Sequence, residues 1–256
     1  MSTNIVQIEN LVKRYGNLVA LDHLNLSISE GEVFGLLGPN GSGKTTAINC
    51  MLSLLKYDKG SIHIFGEEMR PDNYKVKQQI GIVLQNVAVF DELTVYENID
   101  YFCGLYVPDK RKRKELVEEA ITFTDLNDYR KMRPKKLSGG LLRRLNIACG
   151  IAHKPRLIIM DEPTTALTKK EVSALFKIIR KLQAQGVSIL FISHKMDEVF
   201  EISQDFTIIR SGKKIIDGKT ADFDADKFVY YMTGRSIDEV KFTAPEADME
   251  AQPVLE

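Results

Sequence analysis

Three glycines, a lysine and a threonine stand close together in one short segment, which reads Gly38, Pro39, Asn40, Gly41, Ser42, Gly43, Lys44 and Thr45. An apolar run over residues 33–37 predicts a strand before it, and helical spacing predicts a helix from Lys44 to about residue 55. In such a loop, glycines let backbone N–H groups turn towards one anion, and the helix N-terminus adds partial positive charge. Lys44 would reach the β- and γ-phosphates of a nucleoside triphosphate, and the Thr45 hydroxyl would bind Mg²⁺. Thr46 is included in the predicted cradle. The alternative, a chance glycine turn before a helix, does not explain both flanks.

An acidic pair, Asp161 and Glu162, follows a second apolar run over residues 157–160. A parallel sheet places its ligands at the carboxyl ends of its strands, so the pair is expected beside Lys44. We predict that Asp161 holds Mg²⁺ through water and that Glu162 polarises the attacking water as general base. Taken alone, two acids after a strand are more often the start of a loop. Because a phosphate-binding segment is also present in this chain, we favour a catalytic pair over a loop start.

A sheet surrounded by helices is needed to bring these residues together. Apolar and alternating runs predict strands over residues 5–8, 18–28, 33–37, 61–65, 80–85, 157–160 and 187–192, with a hairpin around Ser211 and Gly212. Helical spacing predicts helices over residues 44–55, 96–106, 110–123 and 170–185, and another that begins at Ser138. The order predicts an α/β fold with a parallel sheet and crossover helices, which encloses an all-helical insert at residues 90–152. We expect a core of residues 1–89 and 153–242, and a linker-like tail at residues 243–256.

The composition is that of an ordinary soluble globular protein. Of 256 residues, 44% are hydrophobic and 27% charged, and 35 basic side chains balance 35 acidic ones. This balance provides no bulk attraction to nucleic acid or anionic lipid. Cys50, Cys103 and Cys149 show no metal-ligand spacing and are expected to be buried thiols in a reducing compartment. Residues 1–10 lack a secretory pattern and no apolar run reaches about twenty residues, so we expect any membrane role to come through a partner.

A third motif, Leu137-Ser138-Gly139-Gly140, lies between the two predicted parts of the site. Ser138 is placed to begin a helix, and Gly139 and Gly140 let a phosphate approach the backbone closely. Together with the phosphate-binding segment and the acidic pair, this signature resembles the nucleotide-binding subunit of an ATP-binding cassette (ABC) transporter, and the resemblance extends over residues 5–234. It implies a P-loop NTPase fold with an ABC-type ATPase core, in which a mixed sheet has flanking helices and N-terminal antiparallel strands beside an all-helical subdomain.

The same resemblance implies ATP as the nucleotide, Mg²⁺ as the metal and hydrolysis coupled to transport. Ser138, Gly139 and Gly140 would act on the nucleotide of a second nucleotide-binding subunit, identical or different, so that two ATP molecules lie between two subunits. Separate transmembrane permease subunits would carry the substrate, with the ATPase as a peripheral subunit on the cytoplasmic face of the cell membrane. No nucleic-acid partner is expected.

Three more positions match the family one by one. Tyr15 stands where an aromatic residue stacks on adenine. Gln85 ends a strand before the helical insert, where the family's glutamine contacts Mg²⁺ and water and signals to the membrane subunit. His194 ends another strand and would hydrogen-bond the γ-phosphate. Alone, Tyr15 and Gln85 would carry no such meaning. The remaining histidines match no motif and are expected to be structural or surface residues: His23, His63 and His153.

Two positions depart from the usual family sequence. Leu141 stands where a glutamine most often follows the signature, which puts a polar contact near the partner's nucleotide in doubt. Thr168 replaces a usual aspartate, and with it a charge that crosses to the opposite subunit's site.

The two halves of the chain resemble different subfamilies. The front half is similar to drug-exporter and polysaccharide-exporter ATPases, and the back half, in which threonine at position 168 is common, to monosaccharide importer ATPases. The front-half segments are residues 92–102 and 143–148. The back-half segments are residues 164–172, 192–200, 232–235 and 253–256. We hypothesise a mosaic of the two, natural or constructed, that crosses near residues 161–165.

The leading interpretation is the energy-coupling ATPase of a transporter. Export is favoured because the segment expected to touch the membrane subunit, residues 85–106, is exporter-like; monosaccharide import is the alternative. A soluble ABC ATPase that acts on nucleic acid or ribosomes is a second class. The densest basic run, residues 110–114, precedes acidic residues and is expected to be a solvated helix face instead. A non-catalytic, nucleotide-gated subunit is a third class, which the presence of Glu162 argues against.

Overall fold

A computed structural model describes residues 3–223 and residue 231. The predicted tail at residues 243–256, the importer-like segments 232–235 and 253–256, and the end of the expected core lie outside the described residues. The described strands are β1 (Asn4–Tyr15), β2 (Leu18–Ser29), β3 (Val33–Leu37), β4 (Lys59–Ile64), β5 (Glu67–Glu68), β6 (Ile80–Val83), β7 (Leu157–Asp161), β8 (Ser188–Ser193), β9 (Asp205–Arg210) and β10 (Lys213–Lys219).

The larger of two sheets has six strands in the order β10-β9-β3-β8-β7-β6. The five strands from β9 to β6 in this order are parallel to one another, and β10 pairs with β9 in the antiparallel direction. Every residue of β3 and β8 is buried, as expected for parallel strands covered on both faces, which explains their continuous apolar sequences. Leu37 pairs with Ser193, and Asp161 pairs with Ile192, so β3, β7 and β8 end at one edge.

The smaller sheet is antiparallel, with the order β2-β1-β4-β5. The alternation at residues 5–8 predicts only the start of β1. The strand continues to Tyr15 because its pairing with β2 persists, through several register shifts, as far as the Tyr15–Leu18 pair. The sheet is therefore larger than local alternation indicates.

The described α-helices are α1 (Lys44–Met51), α2 (Tyr74–Lys77), α3 (Val95–Gly104), α4 (Lys110–Phe123), α5 (Gly139–Ile151), α6 (Lys169–Ala184) and α7 (Met196–Ile202). Short 3₁₀ turns occur at Asn127–Tyr129, Pro134–Lys136 and Thr220–Asp222. Polar side chains start five of the described helices by accepting a backbone N–H: Asn73 for α2, Thr94 for α3, Asp109 for α4, Ser138 for α5 and Thr168 for α6. Helix α1 ends earlier than predicted, where Ser53 takes a positive φ of 53°.

Three buried apolar clusters hold these elements together. One joins the smaller sheet and α1 to one face of the larger sheet, and a second packs α6 and α7 on the opposite face. A third cluster, which includes Val95, Ile99, Val117, Ile121 and Leu145, lies among α3, α4 and α5. The three cysteines are buried free thiols. In the described part of the chain, none of the helices has the length and apolar character needed to cross a membrane.

Candidate nucleotide-binding site

A cleft of about 540 Å³ opens at the carboxyl edge of the larger sheet. It is lined by segments that follow β3, β6, β7 and β8, together with the end of β1 and the turn after β9. The predicted site residues that line it are Tyr15, Asn40, Gly41, Ser42, Gly43, Lys44, Thr45, Thr46, Gln85, Asp161, Glu162 and His194. Lining residues that were not predicted are Leu18, Val19, Ala20, Thr165, Ser211 and Gly212.

The backbone of the phosphate-binding loop depends on glycine at specific places. Gly43 has a φ of +108° and Gly41 a φ of +77°, in the region that side chains other than glycine rarely adopt. Gly38 is required for space, because an added Cβ would lie 2.3 Å from the carbonyl oxygen of Ile209 in β9. The loop therefore packs directly against the neighbouring strand.

Hydrogen bonds hold this loop while leaving donors for a ligand. The Ser42 N–H donates to the Pro39 carbonyl at 3.1 Å, and the Gly212 N–H donates to the Ser42 carbonyl at 2.9 Å. Among the described residues, no side chain caps α1 at Gly43, and the buried Ser42 hydroxyl has no hydrogen-bond partner. Open N–H groups and a hydroxyl at a helix N-terminus are the groups that bind a phosphate.

Lys44 is buried at the base of the cleft. Its Nζ donates to the carbonyl oxygens of Gly38 at 2.6 Å and Pro39 at 3.3 Å, and it lies 3.9 Å from Glu162 Oε1. Burial lowers the pKa of Lys44, and the negative charges of Glu162 and Asp161 act in the opposite direction. A buried ammonium of this kind attracts an anion that enters the cleft.

Asp161 and Glu162 sit at the end of β7. Burial raises the pKa of Asp161, the charge of Glu162 raises it further, and the charge of Lys44 opposes both effects. Glu162 has a φ of +46°, which is uncommon for a residue other than glycine. Its N–H donates to the Ile192 carbonyl of β8 at 3.0 Å. This conformation turns the chain sharply where the carboxylate enters the site.

Glu162 and His194 contact each other across the ends of β7 and β8. Glu162 Oε2 lies 2.6 Å from His194 Nδ1, and the glutamate side chain is only 8% exposed against 44% for the histidine. With Nδ1 donating to this carboxylate, Nε2 is the ring atom left to meet a phosphate in the cleft, and it donates to that phosphate only when it also carries a proton. Of the three predicted catalytic side chains, Glu162, His194 and Gln85, the first two therefore lie in direct contact, a geometry that their positions in the sequence do not reveal.

Thr45, Gln85 and Asp161 line one cleft with a hydroxyl, an amide and a carboxylate. These oxygen donors suit Mg²⁺, which prefers oxygen ligands and usually keeps several positions for water and phosphate. Within residues 3–223 and 231, no group of three or more His, Cys, Asp or Glu side chains could hold a metal by itself. The donor set therefore fits a Mg²⁺ that is shared with the phosphates of a nucleotide.

Tyr15 ends β1 at the mouth of the cleft. Its residue surface is 49% exposed, and Lys13 Nζ lies 5.2 Å from the ring centroid. An exposed aromatic ring at this place can stack on a purine base.

The signature residues lie elsewhere. Ser138 and Gly140 line a separate cleft of about 340 Å³, and Gly139 is the first residue of α5. The Gly140 N–H donates to Glu171 Oε1 of α6 at 2.9 Å, and a Cβ on Gly140 would lie 2.3 Å from that oxygen. The structure does not bring these three residues to the cleft that contains Lys44.

Both residues that depart from the family pattern have defined local roles. Leu141 packs against the helical cluster, and its N–H donates to Ser138 Oγ at 3.3 Å. Thr168 begins α6 in a reciprocal cap, in which its N–H donates to Glu171 Oε2 at 2.9 Å and its hydroxyl at 2.8 Å. An aspartate could cap the helix as well, so the threonine removes a charge but keeps the helix start.

Arg143 and Asn146 of α5 support the Gln85 segment, although sequence reasoning does not identify them. The Arg143 guanidinium donates to the carbonyls of Leu84 at 2.7 Å and Gln85 at 2.8 Å, and Asn146 Nδ2 donates to Leu84 O at 3.1 Å. Arg143 is 4% exposed, and burial lowers its pKa. The partners are 58 and more residues away along the chain, so no local pattern signals the contact.

The phosphate-binding loop follows the central parallel strand β3, and the acidic pair lies at the end of β7, one strand beyond the neighbouring β8. Together with a helical insert that carries a signature helix, they define a P-loop ATPase of the cassette class. The family model described as "ABC transporter" matches residues 21–165, which is more than half of the chain. The chain belongs to the ABC transporter family. It is an ABC-type ATPase that binds ATP, with Mg²⁺ as the general partner of such enzymes.

Relatives of the chain include proteins named for import and for export. It is 35% identical to the galactose/methyl galactoside import ATP-binding protein MglA of Clostridium perfringens (strain SM101), over 92% of this chain and 47% of that protein. It is 34% identical to the linearmycin resistance ATP-binding protein LnrL of Bacillus subtilis (strain 168), over 85% of this chain and 70% of that protein. The chain spans about half the length of MglA.

Two solved structures confirm the fold. The chain is similar to cbiO1 from Clostridium perfringens, part of the ABC transporter complex cbiONQ, with a TM-score of 0.82 and 27% identity over 88% of this chain and 92% of that one. An ATP-binding cassette solved as a dimer in a post-hydrolysis state with ADP and Pi matches with a TM-score of 0.75 and 26% identity, over 84% of this chain and 98% of that one.

Proposed function

We propose that this chain energises transport as a nucleotide-binding subunit whose complete ATP site forms only between two subunits. One observation carries the proposal: Lys44 and the signature residues Ser138 and Gly140 line different clefts. The start of α5 is a second helix N-terminus with glycines, at which a phosphate can approach the backbone. A head-to-tail pair of subunits would bring each phosphate-binding loop against the partner's signature.

In this proposal, the residues of the first cleft hold and cleave ATP. Lys44 and the open N–H groups at the start of α1 bind the β- and γ-phosphates, and Tyr15 stacks on adenine. Thr45, Gln85 and Asp161 hold Mg²⁺, which when bound neutralises charge on the phosphates. Glu162 accepts a proton from the attacking water, and His194 fixes that carboxylate through Nδ1 and reaches the γ-phosphate through Nε2.

Subunit mixing tests the two-sided site. Lys44→Ala damages the phosphate-binding side only, and Gly139→Asp damages the signature side only. Gly139 has no heavy atom within 4 Å of an added Cβ, so aspartate fits at the first position of α5 while its charge opposes an incoming phosphate. Each variant alone should lack turnover. An equal mixture should recover roughly a quarter of wild-type ATPase activity, since half of the random pairs contain one intact site.

The outcome separates a two-subunit site from a one-subunit site. No recovery in the mixture, with both variants folded by circular dichroism, would refute the shared site.

Glu162→Gln should bind ATP and accumulate as a dimer in sedimentation experiments, because the nucleotide stays uncleaved. If Glu162→Gln hydrolysed ATP at the wild-type rate, the assignment of the general base would be withdrawn.

An apolar groove beside Gln85 is the surface that we propose receives the permease. The groove, of about 340 Å³, lies between α1, β6, α3 and α5. Leu54 and Leu105 on its rim are 69% and 61% exposed, and Leu84 precedes Gln85. Exposed apolar patches of this kind mark partner surfaces. Through it the chain would bind the cytoplasmic face of the membrane as a peripheral subunit.

Co-purification tests this surface. The tagged wild-type chain should carry the permease from detergent-solubilised membranes, and Leu105→Glu should lose it while the ATPase activity of the isolated chain is retained. Tyr74→Glu is the matched control, because Tyr74 is 69% exposed on α2 and lines neither this groove nor the nucleotide-binding cleft. Equal permease recovery with Leu105→Glu would exclude the groove.

For direction, we propose export, with monosaccharide import as the alternative. The groove is formed largely by the exporter-like front half of the chain, which supports export. Once the permease is known, vesicles with the ATPase outward should fill with substrate when ATP is added outside. ATP-dependent emptying of vesicles preloaded with labelled monosaccharides would establish import instead.

We also propose that the chain is divided into a core of residues 1–89 and 153–242, a helical subdomain of residues 90–152 and a tail of residues 243–256. The proposal includes no nucleic-acid partner. In the basic run at the start of α4, Arg113 pairs with Asp100 at 2.9 Å and Arg111 with Glu115 at 3.6 Å, so these positive charges are partly neutralised. Salt-sensitive DNA binding by the purified chain would contradict this part of the proposal.

A further inference from the structure

Glu198 is a buried carboxylate that the site described above does not use. It lies on α7, and its side chain is 8% exposed. Three donors surround it: Thr164 Oγ1 at 2.6 Å and Ser193 Oγ at 3.0 Å bond to Oε2, and Lys195 Nζ bonds to Oε1 at 2.9 Å. The carboxylate therefore has partners on both oxygens.

The two hydroxyl partners are neighbours of the catalytic pair. Thr164 lies two residues after Glu162, in the segment between β7 and α6, and it is 1% exposed. Ser193 is the last residue of β8, directly before His194, and it is fully buried. One oxygen atom of Glu198 thus connects the segment that carries Glu162 to the segment that carries His194.

The backbone around Glu162 needs such a support. Glu162 and Ala166 both have positive φ values, of 46° and 62°. Strained conformations of this kind persist only where the surroundings fix them. Thr164 lies between the two strained residues, and its hydroxyl is anchored by Glu198 at 2.6 Å. A second contact that holds this segment is the hydrogen bond from the Glu162 N–H to the Ile192 carbonyl, at 3.0 Å.

Core packing alone does not account for a carboxylate here. Val199 and Ile202, on the same short helix, are buried and supply the apolar contacts of α7. A buried charge is costly even when paired, and an apolar side chain of similar size often gives equal or greater stability. The ion pair with Lys195 is half open to solvent, since the lysine side chain is 42% exposed. The hydrogen bonds to Thr164 and Ser193 are what the carboxylate adds.

We propose that Glu198 is a positioning residue for ATP hydrolysis, which holds the Glu162 carboxylate and the His194 ring in register across the ends of β7 and β8. The inference rests on the proposed roles of Glu162 and His194. In that step the water oxygen bonds to the γ-phosphorus, its proton passes to Glu162, and the bond from the γ-phosphorus to the bridging oxygen of ADP breaks. Glu198 touches none of these atoms and acts only through the two hydroxyl contacts.

The test separates turnover from binding and stability in the full chain. Glu198→Met keeps the length of the side chain but replaces both carboxylate oxygens by a weakly accepting thioether, and we expect kcat to fall by about tenfold to 100-fold, as a misplacement of about 1 Å can cause. The dissociation constant for ATP should change less than about twofold, because the loop before Lys44 is untouched. Glu198→Gln keeps one acceptor oxygen for the hydroxyls and should restore most of kcat. Glu201→Gln is the control, since Glu201 lies on the same helix in a half-exposed pair with Arg180.

Two smaller substitutions keep the test valid if Glu198→Met does not fold. Thr164→Val and Ser193→Ala each remove one hydroxyl with little change in volume, and each should lower kcat without changing the ATP dissociation constant. In a folded Glu198→Met background they should add nothing, whereas independent structural effects would add. Thermal unfolding ensures that every variant is assayed well below its midpoint.

The result that overturns the inference is specific. If wild-type chain hydrolyses ATP but Glu198→Met, Thr164→Val and Ser193→Ala keep its kcat, Glu198 has no positioning role while the proposed function stands. A loss of ATP affinity that matches the loss of kcat would also overturn it. If the wild-type chain shows no turnover, the proposed function itself fails and the inference falls with it.

Discussion

Replacing Gly43 by alanine tests the geometry of the phosphate-binding loop, because Gly41 in the same loop supplies a matched control. Both residues have a positive φ, +108° and +77°, so alanine at either place carries a backbone penalty of about 1–2 kcal/mol. An added Cβ on Gly43 would also lie 2.7 Å from the Ala20 carbonyl oxygen and 3.0 Å from Leu21 Cδ2. At Gly41 nothing lies within 4 Å.

The difference in space sets the expected magnitude. Overpacking against the fixed backbone of β2 adds about 1–3 kcal/mol for Gly43→Ala, whereas Gly41→Ala carries the backbone penalty alone. We therefore expect Gly43→Ala, at about 2–5 kcal/mol in total, to lower the melting temperature by about 4–20 °C and Gly41→Ala by about 2–8 °C, at about 2–4 °C per kcal/mol. If the loop instead changes its conformation to accommodate the alanine, the strain appears as weaker ATP binding, because the phosphate-binding conformation must be restored before ATP can bind. Gly43→Ala should then weaken ATP binding by about 30-fold or more and Gly41→Ala by about fivefold to 30-fold, at about 1.4 kcal/mol per factor of ten.

Thermal unfolding by circular dichroism and titration calorimetry with Mg²⁺-free ATP measure the two quantities without hydrolysis. The sum of lost stability and lost affinity should be clearly larger for Gly43→Ala. If the two variants behaved alike, or if Gly41→Ala were the more damaging, the packing of the loop against β2 would be refuted.

Three further substitutions test other parts of the molecule. Thr168→Ala should cost about 1 kcal/mol by removing the cap of α6, and Thr168→Ser, which keeps the hydroxyl that bonds Glu171, should restore it, as urea unfolding would show. Arg143→Lys should lower stability by about 1–3 kcal/mol, because one ammonium cannot replace the guanidinium at both the Leu84 and Gln85 carbonyls, with the more exposed Arg144→Lys as control. Burial lowers the pKa of His153 from 6.5 to about 4, so the unfolded chain binds the extra proton and stability falls as pH drops from 6.5 towards 4. His153→Phe keeps a ring against Tyr106 and should flatten that part of the pH profile of unfolding.

The parts of the site that sequence predicts are those in which chemistry is local. The loop from Gly38 to Thr45 is one continuous segment, and its strand and helix flanks are visible as apolar runs. Asp161 and Glu162 follow because parallel strands end at a common edge, so residues after β3 and β7 must lie close together. The structure places both in one cleft, as expected.

Other parts could not be predicted because their partners are distant or their elements are short. Helix α7 has seven residues, too few for a clear helical period, so the surroundings of Glu198 have no local signal. Arg143 looks like a surface residue in sequence, yet it is buried against two carbonyls. The contact between Glu162 and His194 joins side chains 32 residues apart, and it depends on the pairing of β7 with β8.

Thr168 shows how a departure from a family pattern must be weighed against its local role. By sequence, the change from aspartate puts in doubt a charge that would cross to the partner. In the structure, Thr168 binds one oxygen of Glu171, while the other oxygen of the same carboxylate accepts the Gly140 N–H. The start of α6 and the start of α5 are therefore connected through one side chain, and a threonine cap maintains that connection without adding a second negative charge beside Glu171. The departure consequently changes the electrostatics near the signature but not the framework that presents Gly140.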